Sequence, residues 1–184
     1  AYARERVPQG DFRTGDLETL PYADDRFDVV TGGNSFQYAG DPIAALREAR
    51  RVVKPGGSVA MVVWGRQEEC ESGRVMMAMG TLMPPPPPGA AGPFALSVPG
   101  KIEAMMEEAG LTPVSSGDVP VVYEWPDIET ATRAFLASGP GERIMQVAGE
   151  AAAREAMRPV LDSLGTNTGG VRSANAFHYV IARK

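Results

Sequence analysis

The residues able to do chemistry fall in three places. An acidic loop, Gly15-Asp16-Leu17-Glu18-Thr19-Leu20-Pro21-Tyr22-Ala23-Asp24-Asp25, leads into the apolar stretch Phe27-Asp28-Val29-Val30-Thr31. That stretch ends on Gly32-Gly33-Asn34, with Phe36, Gln37 and Tyr38 close behind. Ionised carboxylates accept hydrogen bonds and suit amine or backbone N–H donors. Paired glycines let backbone approach a ligand where a Cβ would clash. The second place is scattered: His178, the sole histidine, joins Tyr38 and Tyr123 as candidate proton acceptors. A lone histidine in a strand is most often structural. The third is Cys70, the single cysteine, which rules out an internal disulfide. No Cys/His cluster has metal-ligand spacing, so no metal is expected. No Gly-x-Ser-x-Gly turn supports a hydrolase.

The elements that must position these residues follow from periodicity and punctuation. Ala1–Val7 is helix-forming and stops at Pro8-Gln9-Gly10, and residues 11–14 are a short strand candidate. Phe27–Thr31 reads as a buried strand, and ligands of open α/β sheets sit beyond such carboxyl ends. Asp41-Pro42 opens a helix whose inner face carries Ile43, Leu46 and Val53, with Arg47, Glu48, Arg50 and Arg51 outward. Lys54-Pro55-Gly56-Gly57 turns the chain into a strand over 58–64, parallel to the first, with Trp64-Gly65 at its carboxyl end. A Met-bearing helix over 74–83 precedes five prolines, Pro84–Pro88. Beyond it, helix is expected at 101–109, with Gly110 as its C′ residue. Extended segments at 111–115 and 119–125 flank a turn at Ser116-Gly117. Helices follow at 128–138 and 142–164, split by Gly139-Pro140-Gly141, with Pro159 kinking the second. An alternating strand at 173–183 closes the chain.

Two blocks carry a resemblance. Gly15-Asp16-Leu17, Leu20-Pro21-Tyr22 and Asp25-Arg26-Phe27-Asp28-Val29-Val30 are similar to the central block of class I S-adenosylmethionine-dependent methyltransferases. Ala45-Leu46-Arg47-Glu48-Ala49-Arg50-Arg51-Val52-Val53-Lys54-Pro55-Gly56-Gly57 resembles that family's helix-then-turn block, in the right order and separation. The resemblance implies an α/β fold with a Rossmann-like, mostly parallel sheet whose last strand is antiparallel and lies at the edge. It implies S-adenosylmethionine as cofactor. Asp16 would accept from the adenine amino group and the Leu17 N–H would meet a ring nitrogen, with Gly32, Gly33 and Asn34 completing the cofactor wall. Phe36, Gln37, Tyr38 and Trp64 would line the substrate. Read alone, Asp16 equally suits capping of its own turn, and Phe36 and Tyr38 suit a core. Many relatives have histidine near Gln37 or Tyr38, and this chain has none there.

The family's glycine-rich turn and ribose-binding acid lie upstream of the matched block, and no Gly-x-Gly turn precedes the acidic loop. The expectation is one methyltransferase domain over 1–184, lacking its N-terminal part, with substrate-covering insertions at 66–99 and 126–170. The missing strands would pair beside Phe27–Thr31.

Composition narrows the partners. At 184 residues, with 43% hydrophobic and 22% charged residues, the chain fits a soluble domain with a sizeable core. A net charge of -5 argues against a nucleic-acid substrate. No run of ~18 apolar residues reads as a membrane span. The expected partner is a small molecule in a cytoplasmic setting, with a homo-oligomer left open. The leading function is methyl transfer to a small, partly apolar acceptor. The alternative is a catalytically silent methyltransferase-like scaffold that binds a partner through its Met-rich and Pro-rich segments. A dinucleotide oxidoreductase lacks its Gly-x-Gly-x-x-Gly.

Overall fold

The computed structural model describes residues 2–85 and 92–184. Its helices are α1 (Tyr2–Arg6), α2 (Pro42–Val52), α3 (Glu71–Gly80), α4 (Lys101–Glu108), α5 (Ile128–Leu136), α6 (Gly139–Ala148) and α7 (Glu150–Ser163). Its strands are β1 (Phe27–Gly33), β2 (Val53–Trp64), β3 (Thr112–Trp125) and β4 (Val171–Arg183), in the sheet order β1-β2-β4-β3. Pro86–Pro88, the end of the proline run, lie outside the described residues, and the rest of the run is in no element.

The chain divides into two compact units. The first comprises Ala1–Val62, Pro99–Ser116 and Tyr179–Lys184. Asp41 caps α2, accepting from the Ile43 and Ala44 N–H groups at 2.9 and 3.1 Å, with Pro42 in the first turn. The helix buries Ala45, Leu46, Ala49 and Val52, a stripe of helical period. Val53 ends α2 and at once begins β2, so Lys54–Gly57 form the irregular start of that strand rather than a separate turn. Gly56, at φ +75°, supplies the left-handed residue there. β1 and β2 pair in parallel from Val29↔Ser58 to Gly33↔Val62, as a helical crossover requires. α4 packs on α2 and ends at Gly110, φ +81°. The Leu111 N–H reaches the Met106 carbonyl and the Gly110 N–H that of Glu107, both at 2.9 Å, which is the Schellman pattern. Leu46, Val52, Val59, Met61, Ile102 and Met106 are wholly buried.

The second unit comprises Val63–Val98 and Gly117–His178, and so holds both proposed insertions almost entirely. Its core gathers Val75, Met79, Phe135, Ile144, Met157, Leu161 and Val171 from α3, α5, α6, α7 and β4, with Met76 and Met83 packed against it. The methionines of α3 are therefore chiefly core filling. Gly139-Pro140-Gly141 opens α6 instead of breaking a helix. The Ser138 hydroxyl caps it from the Gly141 N–H at 3.1 Å, and proline suits the first turn. The break falls at Gly149, φ +84°, and α7 continues through Pro159.

Three strand expectations are corrected. β4 is not at the sheet edge but between β2 and β3. It runs antiparallel to β2: Gly56 and Gly57 bond to Lys184, and Gly65 bonds to Ala176. Asp118 beside His178 and Glu124 beside Arg172 give the same reversal against β3. β3 runs unbroken through Ser116-Gly117, where a turn was expected. As the edge strand it tolerates Pro113 and Pro120, which lack an N–H for a ladder. Residues 11–14 form no strand. Arg13 instead ties this segment to Asp11 and to the Pro21 carbonyl.

Leu46→Ala should cost about 2–5 kcal/mol, the range for emptying a packed core site. Val29→Ala, on a side chain 56% exposed, should change stability by less than ~0.5 kcal/mol. Denaturant midpoints at constant m-value would check the pair.

Candidate functional site

Local bonds shape the acidic loop. Asp16 is exposed; its Oδ1 accepts from the Glu18 N–H at 2.9 Å and its carbonyl from the Thr19 N–H at 3.3 Å. The capping role left open by the residues is therefore realised. It occupies one carboxylate oxygen. Among the described residues, no hydrogen bond engages Asp16 Oδ2 or the Leu17 N–H. An acceptor and a donor thus stand on adjacent residues, a pair suited to one edge of an adenine.

Helix α2 holds this loop at both ends. At its N-terminus the Asp41 N–H donates to Glu18 Oε1 at 2.9 Å. On its last turns Glu48 and Arg51 face the loop, not solvent as their spacing suggested. Arg51 Nε donates to Glu48 Oε1 at 2.7 Å, and Nη1 to the Tyr22 carbonyl and Asp24 Oδ1, both at 2.8 Å. Nη2 donates to the Leu20 carbonyl at 3.1 Å and Glu48 Oε2 at 2.8 Å. Glu48 Oε2 also accepts from the Leu20 N–H at 2.9 Å. The Arg51 guanidinium holds the Glu48 carboxyl below its ordinary range, against the opposing effect of burial. No sequence signal marks this pair, because its partners lie 27 to 31 residues away.

At the carboxyl end of β1 the two glycines differ. A Cβ on Gly32 would lie 2.2 Å from the Phe36 ring, so this glycine makes room for a buried aromatic. A Cβ on Gly33 would meet nothing within 4 Å, and its backbone is open to a ligand. Asn34 turns the chain at φ +47°, donates its N–H to the Val62 carbonyl at 2.8 Å and accepts from Gln37 Nε2 at 3.1 Å. Gln37 Oε1 is buried with no hydrogen-bond partner among the described residues. Tyr38 is 67% exposed, whereas Phe36 belongs to the core.

The remaining candidates belong to the second unit. Trp64 stacks on Phe177 at 4.7 Å and meets Phe94 edge-on at 6.5 Å. His178 Nδ1 lies 2.8 Å from Asp118 Oδ1, and its side chain is 20% exposed. Tyr123 is five residues from Asp118 along β3, so it projects from the opposite face of the sheet to the His178–Asp118 pair. Burial raises the pKa of Tyr123 and, beside it, of the buried Cys70 thiol, whose Sγ donates to the Ala176 carbonyl at 3.4 Å. After β2 an open pocket of about 460 Å³ is lined by Gln67, Glu68, Cys70, Glu71, Arg74 and Met77. No group of three metal-ligating side chains stands together among the described residues, and no described helix is long and apolar enough to cross a membrane.

Residues 1–61 match the family model described as a methyltransferase domain. This first third of the chain is similar to that family. The ubiquinone/menaquinone biosynthesis C-methyltransferase of Bdellovibrio bacteriovorus is 39% identical over 64 residues, 35% of this chain and 27% of its own length. The malonyl-[acyl-carrier protein] O-methyltransferase of Erwinia pyrifoliae is 43% identical over 58 residues, 32% of this chain and 22% of its own. The matches thus span about a quarter of these relatives. Among solved structures, a candidate methyltransferase of Bacillus halodurans aligns at TM-score 0.57 and 17% identity, over 99% of this chain and 77% of its own. The [4+2]-cyclase SpnF aligns at TM-score 0.54 and 21% identity, over 100% and 59%. The architecture is the Rossmann-like fold of class I methyltransferases. Within the methyltransferase match lie the acidic loop, β1, α2 and most of β2, all of the first unit's candidate residues.

Two measurements test this geometry. Gly32→Ala should destabilise by about 1–3 kcal/mol through overpacking against Phe36, and Gly33→Ala by far less; thermal unfolding separates them. The folded-state pKa of Glu48 is depressed, so its contribution is full above the ordinary glutamate value and is lost as pH falls through the folded value. The stability difference between the wild type and Glu48→Gln should therefore close on acidification and be flat from there to neutral pH.

Proposed function

We propose that the protein binds S-adenosylmethionine at the acidic loop and the β1 carboxyl end, and transfers a methyl group to a small, partly apolar acceptor. The observation that carries this reading is the paired Asp16 Oδ2 and Leu17 N–H, held on a tethered loop within the segment that matches the methyltransferase domain. These groups fit the cofactor's adenine: the carboxylate oxygen takes the exocyclic amine and the N–H a ring nitrogen. Gly33 leaves its backbone open beside them, and Asn34 fixes the turn that follows.

When bound, S-adenosylmethionine supplies a methyl group already activated by its sulfonium. The chain's own task is to align the acceptor, and positioning of this kind lowers barriers by up to ~7–11 kcal/mol. Tyr38 and Gln37, in the turn after β1, are the groups assigned to orient the acceptor. Tyr38 is open to solvent, and the unpaired Gln37 oxygen needs a donor. Trp64 and the pocket after β2 supply a second, separate candidate surface for an apolar acceptor. Relatives named for C- and O-methylation leave the acceptor atom open.

The scaffold reading draws no direct support here: the cyclase that shares the fold is itself named for a catalysed reaction. The methionine surface that reading invoked is mostly core.

Calorimetry with S-adenosylmethionine should show binding, and Asp16→Ala should weaken it at least tenfold. Labelled cofactor should yield a methylated small molecule from a metabolite extract. Absence of binding, or equal affinity in Asp16→Ala, overturns the assignment.

A further inference from the structure

We propose that Glu48 and Arg51 are positioning residues for the ligand loop, a two-residue clamp on α2 that pre-forms the Asp16–Leu17 edge before a ligand arrives. The inference rests on the reading of that edge as an adenine site. All five N–H donors of the Arg51 guanidinium are used, on Glu48 twice, on the Leu20 and Tyr22 carbonyls and on Asp24. Three of the five go to the loop, and a fourth contact comes back from the Leu20 N–H to Glu48. Glu18 anchors the loop's other end on the Asp41 N–H, beside the Asp16 turn.

The segment between these anchors has no helix or strand of its own. Side-chain bonds to α2 hold it at Leu20, Tyr22 and Asp24, and Arg13 adds a bond to the Pro21 carbonyl. Releasing it would make a ligand order the loop as it binds, which lowers affinity without touching the contact atoms. A lysine cannot replace this arginine, because an ammonium lacks the planar fork that reaches several acceptors at once. The role is therefore specific to the guanidinium rather than to its charge.

The test compares Arg51→Lys, Arg51→Met and Glu48→Gln with the wild type by amide hydrogen exchange and by S-adenosylmethionine calorimetry. Both Arg51 variants should speed exchange at the Glu18, Leu20 and Asp41 amides at least tenfold. Amides in the middle of α2, such as Leu46, should keep their wild-type rates. Cofactor affinity should fall about tenfold in both, and less in Glu48→Gln, which keeps an oxygen for the Leu20 N–H. Wild-type loop exchange and affinity in Arg51→Lys overturn the clamp. So does a uniform acceleration over all of α2, which is the signature of a merely stabilising pair. If Arg51→Met does not fold, Asp24→Ala removes one acceptor from an exposed side chain and should show the same sign at smaller size. If the wild type binds no cofactor, the proposed function falls, and loop exchange alone decides the clamp.

Discussion

The guanidinium of Arg51 is the tie on which the first unit's candidate site depends. A loop of eleven residues with no regular structure must find partners for its backbone polar groups, or leave them to water. Here one side chain on a helix supplies partners for two of its carbonyls, those of Leu20 and Tyr22. The helix itself is over-determined: Asp41 and Pro42 start it, an apolar stripe buries it, and β2 begins where it stops. A rigid element thus lends its order to a loop that has little of its own. The ion pairs involved are half-exposed and contribute modestly as charges. Their value lies in geometry, since a planar fork meeting fixed carbonyls permits few arrangements.

The same logic explains the two ends of β1. Asp25 enters it at φ +53° and Asn34 leaves it at φ +47°, both left-handed residues without being glycine. Aspartate and asparagine are the types that tolerate this region. Each is pinned by a backbone bond to the neighbouring element, from Asp25 to the Arg51 carbonyl and from Asn34 to that of Val62. Between them the glycine pair divides its work. Gly32 yields space to Phe36, whereas Gly33 yields space to nothing among the described residues.

In the second unit the chemistry-bearing side chains are spread out. His178 is held by Asp118 on one face of the sheet, and Tyr123 sits on the other. A buried polar set, Ser72, Ser173 and Asn175, is satisfied internally and joins the start of α3 to β4. Polar atoms that close on one another in this way specify packing rather than offer a site.

Much of the fold was legible in residue order alone. Capping residues and apolar period located α2, a β-rich run bounded by charges and glycines located β1, and the crossover made β1 and β2 parallel. These features are local, and local chemistry decides them. Tertiary structure decided what depends on distant partners. The place of β4 inside the sheet, the unbroken course of β3 and the core fate of the α3 methionines each turn on which neighbour an element meets. The acidic loop divides the same way. Its sequence marked Asp16, but only the fold showed that one oxygen caps a turn while the other stays open. Only the fold could turn Glu48 and Arg51 inward, because a charge on a helix reads as solvated until an unpaired loop is laid across it.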